Sequence, residues 1–350
     1  SSKLHLGDVT FDSLFLNVVK YKNENKSNLD IFIEKVNTDE ARIKQLSANS
    51  ININHSKLRL TDLNKADSSK QIFSSMNAKL VDFNSHSNDF STHIQEMSFF
   101  ANYQNIQVLD LKAFCSFNFE GAEFKNLKII TPNSQLNSDI VIRYNEERFQ
   151  NFYDNVSFDF LVQDSFLGLH DIQFLGLNLP KSETIFLDQL AFSGTPNQFS
   201  IDIFSLNYEK SKLLGSFTFN APSTSKLTIH ELSINPNDIQ NLFLNLGQSS
   251  VDVLNRFGKA NISGTLASQS VNHKLNLLVD SRLGPLQFNF DFFREGRLNS
   301  SFYDGQINAS QFNIGDLLNQ NSLGTTDLSL FVKGKGLQFD QLDTKLLGQF

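Results

Sequence analysis

The chain has 350 residues, of which 40% are hydrophobic and 19% charged, and its formal net charge is -7. This composition excludes wholesale disorder, and the acidic balance disfavours a nucleic-acid partner because phosphate binding needs a basic patch. The aromatic residues are 35 Phe and 6 Tyr, with no Trp. Since Phe has no polar atom that needs a partner, it suits a surface that is apolar throughout.

Apolar and polar residues alternate through most of the chain, which is typical of strands with one apolar and one polar face. The pattern predicts strands at residues 4–21, 29–36 and 51–62, with a short helix within 37–46. Further strands are predicted in chain order at residues 72–83, 93–103, 108–119, 124–130, 136–144, 158–162, 168–175, 184–194, 199–208, 213–220 and 227–234.

The period changes after residue 235, where apolar residues recur at spacings of three or four. Ile239, Leu242, Leu254 and Phe257 belong to this set, which predicts a pair of short helices within residues 238–257 that ends at Gly258. Strands return at residues 260–266, 274–280, 286–293, 300–309 and 327–333, with one helical turn at 316–319. The helix pair either packs on the sheet as core helices or lies across it as a plug.

The sequence therefore predicts an all-β fold of roughly 18–22 strands: an elongated antiparallel sheet that curls along its length. Residues 1–350 are expected to form one continuous segment, with a sub-boundary near residues 145–155, where the polar segment NEERFQNFYD falls. The chain begins without Met and stops within a predicted strand. It is therefore expected to be a fragment of a longer protein.

No group of residues predicts catalysis. Cys115 is the single cysteine, which excludes an intramolecular disulfide, and it is interpreted as a small strand residue. His86 and His93 are the closest histidine pair, but their separation is not a usual spacing for metal ligands. The sequence Gly334-Lys335-Gly336 lacks the rest of a phosphate-binding loop. We expect neither an enzyme nor a cofactor or metal.

The last third of the chain carries an ordered series of turn motifs. They are NISGTL (261–266), SRLGPL (281–286), YDG (303–305), FNIGDLL (312–318), LGTT (323–326) and VKGKGL (332–337). Their order and spacing resemble the TamB-like members of the AsmA-related family of gram-negative envelope proteins. Residues 22–36 and the strand that opens at Leu46 are similar too.

The resemblance implies a long, open, taco-shaped β-groove lined with apolar residues. It implies a periplasmic location, as part of a protein anchored in the inner membrane by an N-terminal helix that is absent here. Phospholipid is the implied cargo. An outer-membrane barrel of the Omp85 type is the implied partner, reached through a C-terminal region that is also absent here. This chain would be an early-to-middle segment.

Large apolar residues at alternating positions are the candidates for the groove face. They are Phe114, Phe117, Phe119, Phe158, Phe160, Phe217, Phe219, Phe288, Phe290, Phe292 and Leu330. The face of Phe114 stays open at this point, because the odd step to Phe117 would require a bulge.

Three functions follow as hypotheses. The first is a conduit that carries phospholipid acyl chains across the periplasm. The second is an outer-membrane protein assembly module, whose strand edges receive an unfolded strand by β-augmentation. The third is a structural array of β-sandwiches with a filled core.

Overall fold

The computed structural model describes residues 2–36, 43–64, 69–86, 89–144, 151–173, 180, 182–242, 247–294, 301–320, 322–336 and 343–349. The chain divides into two units, Ser1–Leu177 and Asn178–Phe350. Strands account for 72% and helices for 11% of the structure, and the described residues form 20 strands and five helices. The predicted all-β fold is confirmed.

Among its described residues, the first unit contains ten strands and two helices. Their bounds are β1 Ser2–Asp12, β2 Phe15–Lys20, α1 Asn28–Val36, β3 Ile43–Asp62, β4 Ser69–His86, β5 Asp89–Ala101, β6 Ile106–Val108, β7 Asp110–Phe117, β8 Gly121–Ile130, β9 Gln135–Arg143, α2 Phe152–Asn155 and β10 Ser157–Gly168.

In the part of the second unit that the structure describes, there are ten strands and three helices. Their bounds are β11 Thr184–Thr195, β12 Gln198–Tyr208, β13 Ser211–Asn220, β14 Thr224–Ile234, α3 Pro236–Leu242, α4 Gln248–Phe257, β15 Ala260–Gln269, β16 Asn272–Ser281, β17 Gly284–Arg294, β18 Ser301–Asn313, α5 Ile314–Leu318, β19 Thr325–Lys335 and β20 Asp343–Gln349.

The sheet is not antiparallel throughout, and that part of the prediction is wrong. In the first unit, β1 and β2 lie one after the other along the long strand β3, and both run parallel to it. Parallel neighbours need a crossover connection, which is usually helical. The segment between β2 and β3 contains α1 and brings the chain back in the same direction.

Helix α1 occupies residues that the alternation assigns to a strand, so this prediction is also wrong. Ser27 and Asp30 form a reciprocal cap at its start. The Asp30 backbone N–H donates to Ser27 Oγ over 3.2 Å, and the Ser27 backbone N–H donates to Asp30 Oδ2 over 2.8 Å. This arrangement satisfies two N–H groups that a helix start leaves without partners. The Ser-x-x-Asp spacing of Ser27 and Asp30 was the signal in the sequence that could have predicted this helix start.

The second unit is a meander in which each strand from β11 to β20 pairs antiparallel with the next. The predicted helix pair is confirmed as α3 and α4, with Gly247 at the N-cap of α4 and Gly258 at its C-cap. The predicted turn at 316–319 overlaps α5. Residues 243–246, between α3 and α4, lie outside the described residues.

Extra residues interrupt several strands as β-bulges. His55 in β3, Asn126 in β8 and Gln311 in β18 have positive φ angles of 48°, 50° and 49°, and each stands beside a shift in register. Their backbone N–H groups donate to side-chain oxygens of the neighbouring strand: Asn77 Oδ1 at 3.0 Å, Asp139 Oδ1 at 2.6 Å and Asp327 Oδ1 at 2.8 Å. The bulges therefore bend the strands without leaving these groups unpaired.

The predicted sub-boundary near residues 145–155 falls between β9 and β10. These two strands pair with each other, from Ser157↔Arg143 to Phe166↔Gln135. The division between the two units comes later, at Leu177 and Asn178. Residues 145–150 lie outside the described residues, as do residues 37–42, on which most of the predicted short helix falls.

Few of the aromatic residues are buried. The chain exposes 21642 Å², whereas two separate compact bodies, each of half its mass, would together expose about 17,000 Å². Among the described phenylalanines, only Phe204 and Phe312 are buried. A β-sandwich with a filled core would bury most of its large aromatic side chains. The exposure of the described phenylalanines therefore disfavours that alternative.

A buried carboxylate holds the β8–β9 turn in the first unit. Asp171 accepts hydrogen bonds from Ser134 Oγ at 2.6 Å, Thr131 Oγ1 at 2.5 Å and Asn133 Nδ2 at 3.1 Å. Burial by itself would raise the pKa of Asp171, but the hydrogen bonds from Ser134, Thr131, Asn133 and His170 outweigh it. The net result is a pKa below the ordinary value of an aspartate.

We expect Asp171→Asn to destabilise the protein by roughly 2 kcal/mol near neutral pH, because the amide cannot accept all of these hydrogen bonds. A lowered native-state pKa means that the carboxylate stabilises the fold above about pH 4, the unfolded-state pKa. This stability is lost as the pH falls through the native-state pKa. Urea unfolding at pH 7 and at pH 3, followed by circular dichroism, measures both effects.

The exposed Asp89→Asn variant at the start of β5 is the control and should leave stability nearly unchanged at both pH values. If the difference in free energy of unfolding between wild type and Asp171→Asn is as large at pH 3 as at pH 7, the expected stabilisation by the Asp171 charge is contradicted.

Candidate functional site

One face of the second unit carries apolar side chains in continuous rows across all ten strands. Directly paired residues of neighbouring antiparallel strands point to the same face, so the register defines the rows. The residues of the first row are Leu190, Phe204, Gly215, Ile229, Gly264, Leu277, Phe288, Ile307, Leu330 and Gly348. No polar side chain interrupts this row from β11 to β20.

The second row lies two residues further along each strand, or three in β12, where a bulge intervenes, and is equally apolar. Its residues are Phe192, Ile201, Phe217, Leu227, Leu266, Leu275, Phe290, Gly305, Val332 and Leu346. The opposite face of the same strands carries most of their charged residues, together with exposed apolar side chains such as Leu278 and Phe293. There, Lys274, Asp291, Asp304, Lys333 and Lys345 are paired in a row across β16 to β20. We call the face with the two apolar rows the apolar face.

All six candidates that the sequence offers in the second unit lie on the apolar face. Phe288 and Leu330 belong to the first row, and Phe217 and Phe290 belong to the second. Phe219 and Phe292 stand next to the second row on their own strands, two residues away. All six are half-buried. Sequence reasoning missed Phe192, Phe199 and Phe204, although Phe199 follows the same alternation.

Aromatic rings cover glycines on the neighbouring strands. Phe290 is paired with Gly305, and a Cβ atom at Gly305 would lie 2.4 Å from Phe290 Cδ1. Phe204 is paired with Gly215 in the same way, and a Cβ atom there would lie 2.6 Å from Phe204 Cζ. These rings therefore lie flat over the backbone of the next strand. Only glycine leaves room for them.

The helices of the second unit close one border of the apolar face. Phe257 of α4 and Leu317 of α5 pack against a buried cluster that contains Leu286 and Phe312. Arg256 Nη1 donates to the Leu317 carbonyl over 2.9 Å, and Arg282 Nη2 donates to the Arg256 carbonyl over 2.7 Å. Helix α4 thus packs on the sheet, as the first of the two interpretations of the helix pair expects.

The first unit has an apolar face of its own, built from β5 and β7–β10. One row consists of Phe90, Phe117, Ala122, Ile142 and Phe158. The next row consists of Thr92, Cys115, Phe124, Ile140 and Phe160. The Phe117 ring stacks on Phe90, with centroids 4.4 Å apart, and meets Phe124 edge-on at 5.4 Å. Phe117, Phe158 and Phe160 therefore share one face, as expected.

Two candidates in the first unit lie elsewhere. The register between β5 and β7 is unbroken from Phe117 back to Ala113, so Phe114 lies on the opposite face, where its ring meets His93 at 4.9 Å. The register shift in β7 lies between Lys112 and Phe114, so it does not alter the face on which Phe114 lies relative to Phe117. Phe119 is 46% exposed in the turn after β7, because the strand already ends at Phe117.

Cys115 lies at the centre of a buried apolar cluster in the first unit. Its side chain is packed with Ala113 and Leu127 and is 2% exposed. Burial raises the pKa of its thiol to about 11. Because the thiolate is the reactive form of cysteine, this environment suits a packing residue rather than a nucleophile.

Comparisons with protein-family models, with curated proteins and with solved structures find no match to this chain. The family resemblance in the turn motifs therefore stays a prediction.

None of the described helices combines the length and the apolar character that crossing a membrane requires. Within the described ranges, no group of three or more His, Cys, Asp or Glu side chains could hold a metal ion.

In the folded protein at pH 8, we expect Cys115 to react with a thiol reagent such as DTNB at least about a hundredfold more slowly than an unperturbed cysteine, because both burial and the raised pKa keep the thiolate fraction low. The release of the coloured thiol measures the rate. The same protein in concentrated urea is the control and should react at the free-thiol rate. Fast labelling of the folded protein would contradict the assigned environment.

Proposed function

We propose that this chain is part of a lipid conduit, which carries phospholipid acyl chains along its apolar faces between the inner and outer membranes of a gram-negative envelope. The observation that supports this function best is the pair of unbroken apolar rows across β11–β20. Apart from Phe204, Gly215 and Val332, which are buried, the members of the two rows are half-buried to exposed.

The energetics of lipid transfer favour such a face. A phospholipid that leaves a bilayer exposes its chains to water at ~0.8 kcal/mol per CH₂, or on the order of 25 kcal/mol for two sixteen-carbon chains. A few polar contacts cannot offset a cost of this size. A carrier therefore needs an apolar surface without interruptions, and it needs no single indispensable residue.

The size of the apolar face also matches extended acyl chains. Neighbouring strands are about 4.8 Å apart, so nine intervals between ten strands give each row a length of roughly 43 Å along the sheet. Successive rows are separated by two residues, or roughly 7 Å along the strand. The two rows together are thus long and wide enough to cover both chains of one phospholipid.

The cellular part of the proposal depends on the family resemblance of the turn motifs. That resemblance supports a periplasmic location, an inner-membrane anchor on one side and an Omp85-type barrel on the other. Strand-edge assembly of outer-membrane proteins is the alternative. Among the described residues, β20 pairs only with β19, but any open sheet has such an edge, so this pairing does not favour the alternative specifically.

Native mass spectrometry of protein purified from a membrane-containing host tests the proposal. We expect phospholipid to co-purify with the wild type and to be lost at least tenfold in Phe290→Asp, because a carboxylate in the second row interrupts the apolar surface. Phe293→Asp is the matched control. Phe293 lies on the same strand but is paired with Asn272 and Phe302 on the opposite face, so this variant should keep its lipid.

Thermal unfolding separates loss of binding from loss of folding. Phe117 and Phe288 are less suitable positions for this test, because both pack against buried clusters. Phe219→Asp, near the end of β13, is a second variant with less effect on packing. A lipid-free wild type, or equal lipid content in all variants, would overturn the conduit. If only changes at the β20 edge altered function, the assembly module would be favoured instead.

A further inference from the structure

The border of the apolar face away from α4 and α5 contains hydrogen-bonding side chains. Two residues beyond the second row on each strand lies a further row, which we call the border row. Its residues are Gly194, Phe199, Phe219, Ser225, Ser268, His273, Phe292, Tyr303, Gly334 and Thr344. Its middle part, where the β15–β16 hairpin turns at residues 270–271, is polar.

Ser268 and His273 form a hydrogen-bonded pair in this hairpin. They are direct partners in the register, and His273 Nδ1 lies 2.8 Å from Ser268 Oγ. His273 is half-buried on the same face as Leu275 and Leu277, because it alternates with the exposed Asn272 and Lys274. Within the described part of the chain, Nε2 of this ring makes no hydrogen bond, and it remains available at the edge of the face.

The two borders of the apolar face are therefore different. On the side of Leu286, the helices and the buried cluster around Phe312 cover the face, and the guanidinium groups of Arg256 and Arg282 donate to main-chain carbonyls there. On the opposite side, Ser268 and His273 offer polar atoms next to Leu266 and Leu275 of the second row. An amphiphile whose chains lie on the first and second rows can place its polar end on the second side, because on the helix side the face is covered by α4, α5 and the cluster around Phe312.

We propose that Ser268 and His273 bind the phosphate group of a phospholipid whose acyl chains lie on the first and second rows. This inference depends on the proposed lipid-binding function and adds a headgroup site to it. When the Ser268 hydroxyl donates to Nδ1, the imidazole carries its proton on Nε2 and donates it outward, toward an acceptor such as a phosphate oxygen.

Charge complementarity supports phosphate as the ligand. The chain is acidic, with a net charge of -7, yet none of the residues of the three rows is a carboxylate. Aspartates of the same strands, such as Asp280 and Asp291, alternate with the rows and lie on the opposite face. An anionic phosphate at this border would therefore face hydrogen-bond donors without a nearby like charge on the same face.

Fluorescence titration with two probes tests the headgroup site. One probe is a phosphatidylcholine with an NBD-labelled acyl chain, and the other is a diacylglycerol with the same chains and label but no phosphate. We expect the wild type to bind the phospholipid about five- to tenfold more tightly. His273→Phe should reduce this ratio to about one, because it keeps an aromatic ring but removes both nitrogen atoms.

Two further variants complete the design. Ser268→Ala removes only the hydroxyl that orients the ring and should reduce the ratio partially. His230→Phe is the matched control, since exposed His230 lies with Gln287 and Asn308 around a concavity of the opposite face; its ratio should equal that of the wild type.

The possible outcomes separate the two proposals. If both probes bind the wild type but the ratio is unchanged in His273→Phe, the headgroup site is wrong and the conduit stands. If neither probe binds the wild type, both proposals fail. If thermal unfolding shows that His273→Phe does not fold, Ser268→Ala decides: an unchanged ratio overturns the site, and a reduced ratio supports it.

Discussion

Every property of the apolar face depends on the hydrogen-bonded register between neighbouring strands. Phe290 meets Leu275 on one side and Gly305 on the other only because β16, β17 and β18 are aligned as they are. A slip of one residue would carry a whole strand's apolar set to the other face. Since no single sequence motif fixes this alignment, it is maintained collectively, by short hairpin turns and by the penalty for exposing Phe side chains of the apolar face to water.

The open sheet is stabilised mostly by contacts between neighbouring strands. Rings meet across strands at centroid distances of 5.1 Å for Phe192 and Phe199 and 5.8 Å for Phe199 and Phe217. Such aromatic pairs contribute about 0.5–1.5 kcal/mol each beyond the burial of their area. Buried clusters are small and local, as around Leu286. The face thus keeps its shape through lateral packing, while its outward surface remains free.

Alternation predicted most of the sheet because apolar and polar residues largely segregate in strands such as β16 and β17, where Leu278 and Phe293 on the opposite face are among the exceptions. It failed where another signal competed with it. In α1, the Ser27–Asp30 cap outweighed the alternation. Phe114 lies on the opposite face because no bulge separates it from Phe117, so the odd step between them keeps the two rings on different faces. The parallel pairing of β1 and β2, and the meeting of Ser268 with His273, depend on partners that only the fold brings together.

The pairing of large rings with glycines has a mechanical consequence. Where Phe290 lies over Gly305 and Phe204 over Gly215, a protruding side chain and an adjacent hollow are merged into one level surface. A face of this kind has little corrugation along the row. A flexible hydrocarbon resting on it would meet neither a notch that fixes its position nor a ridge that stops it, so its motion along the sheet would resemble one-dimensional diffusion with low friction rather than hopping between discrete sites.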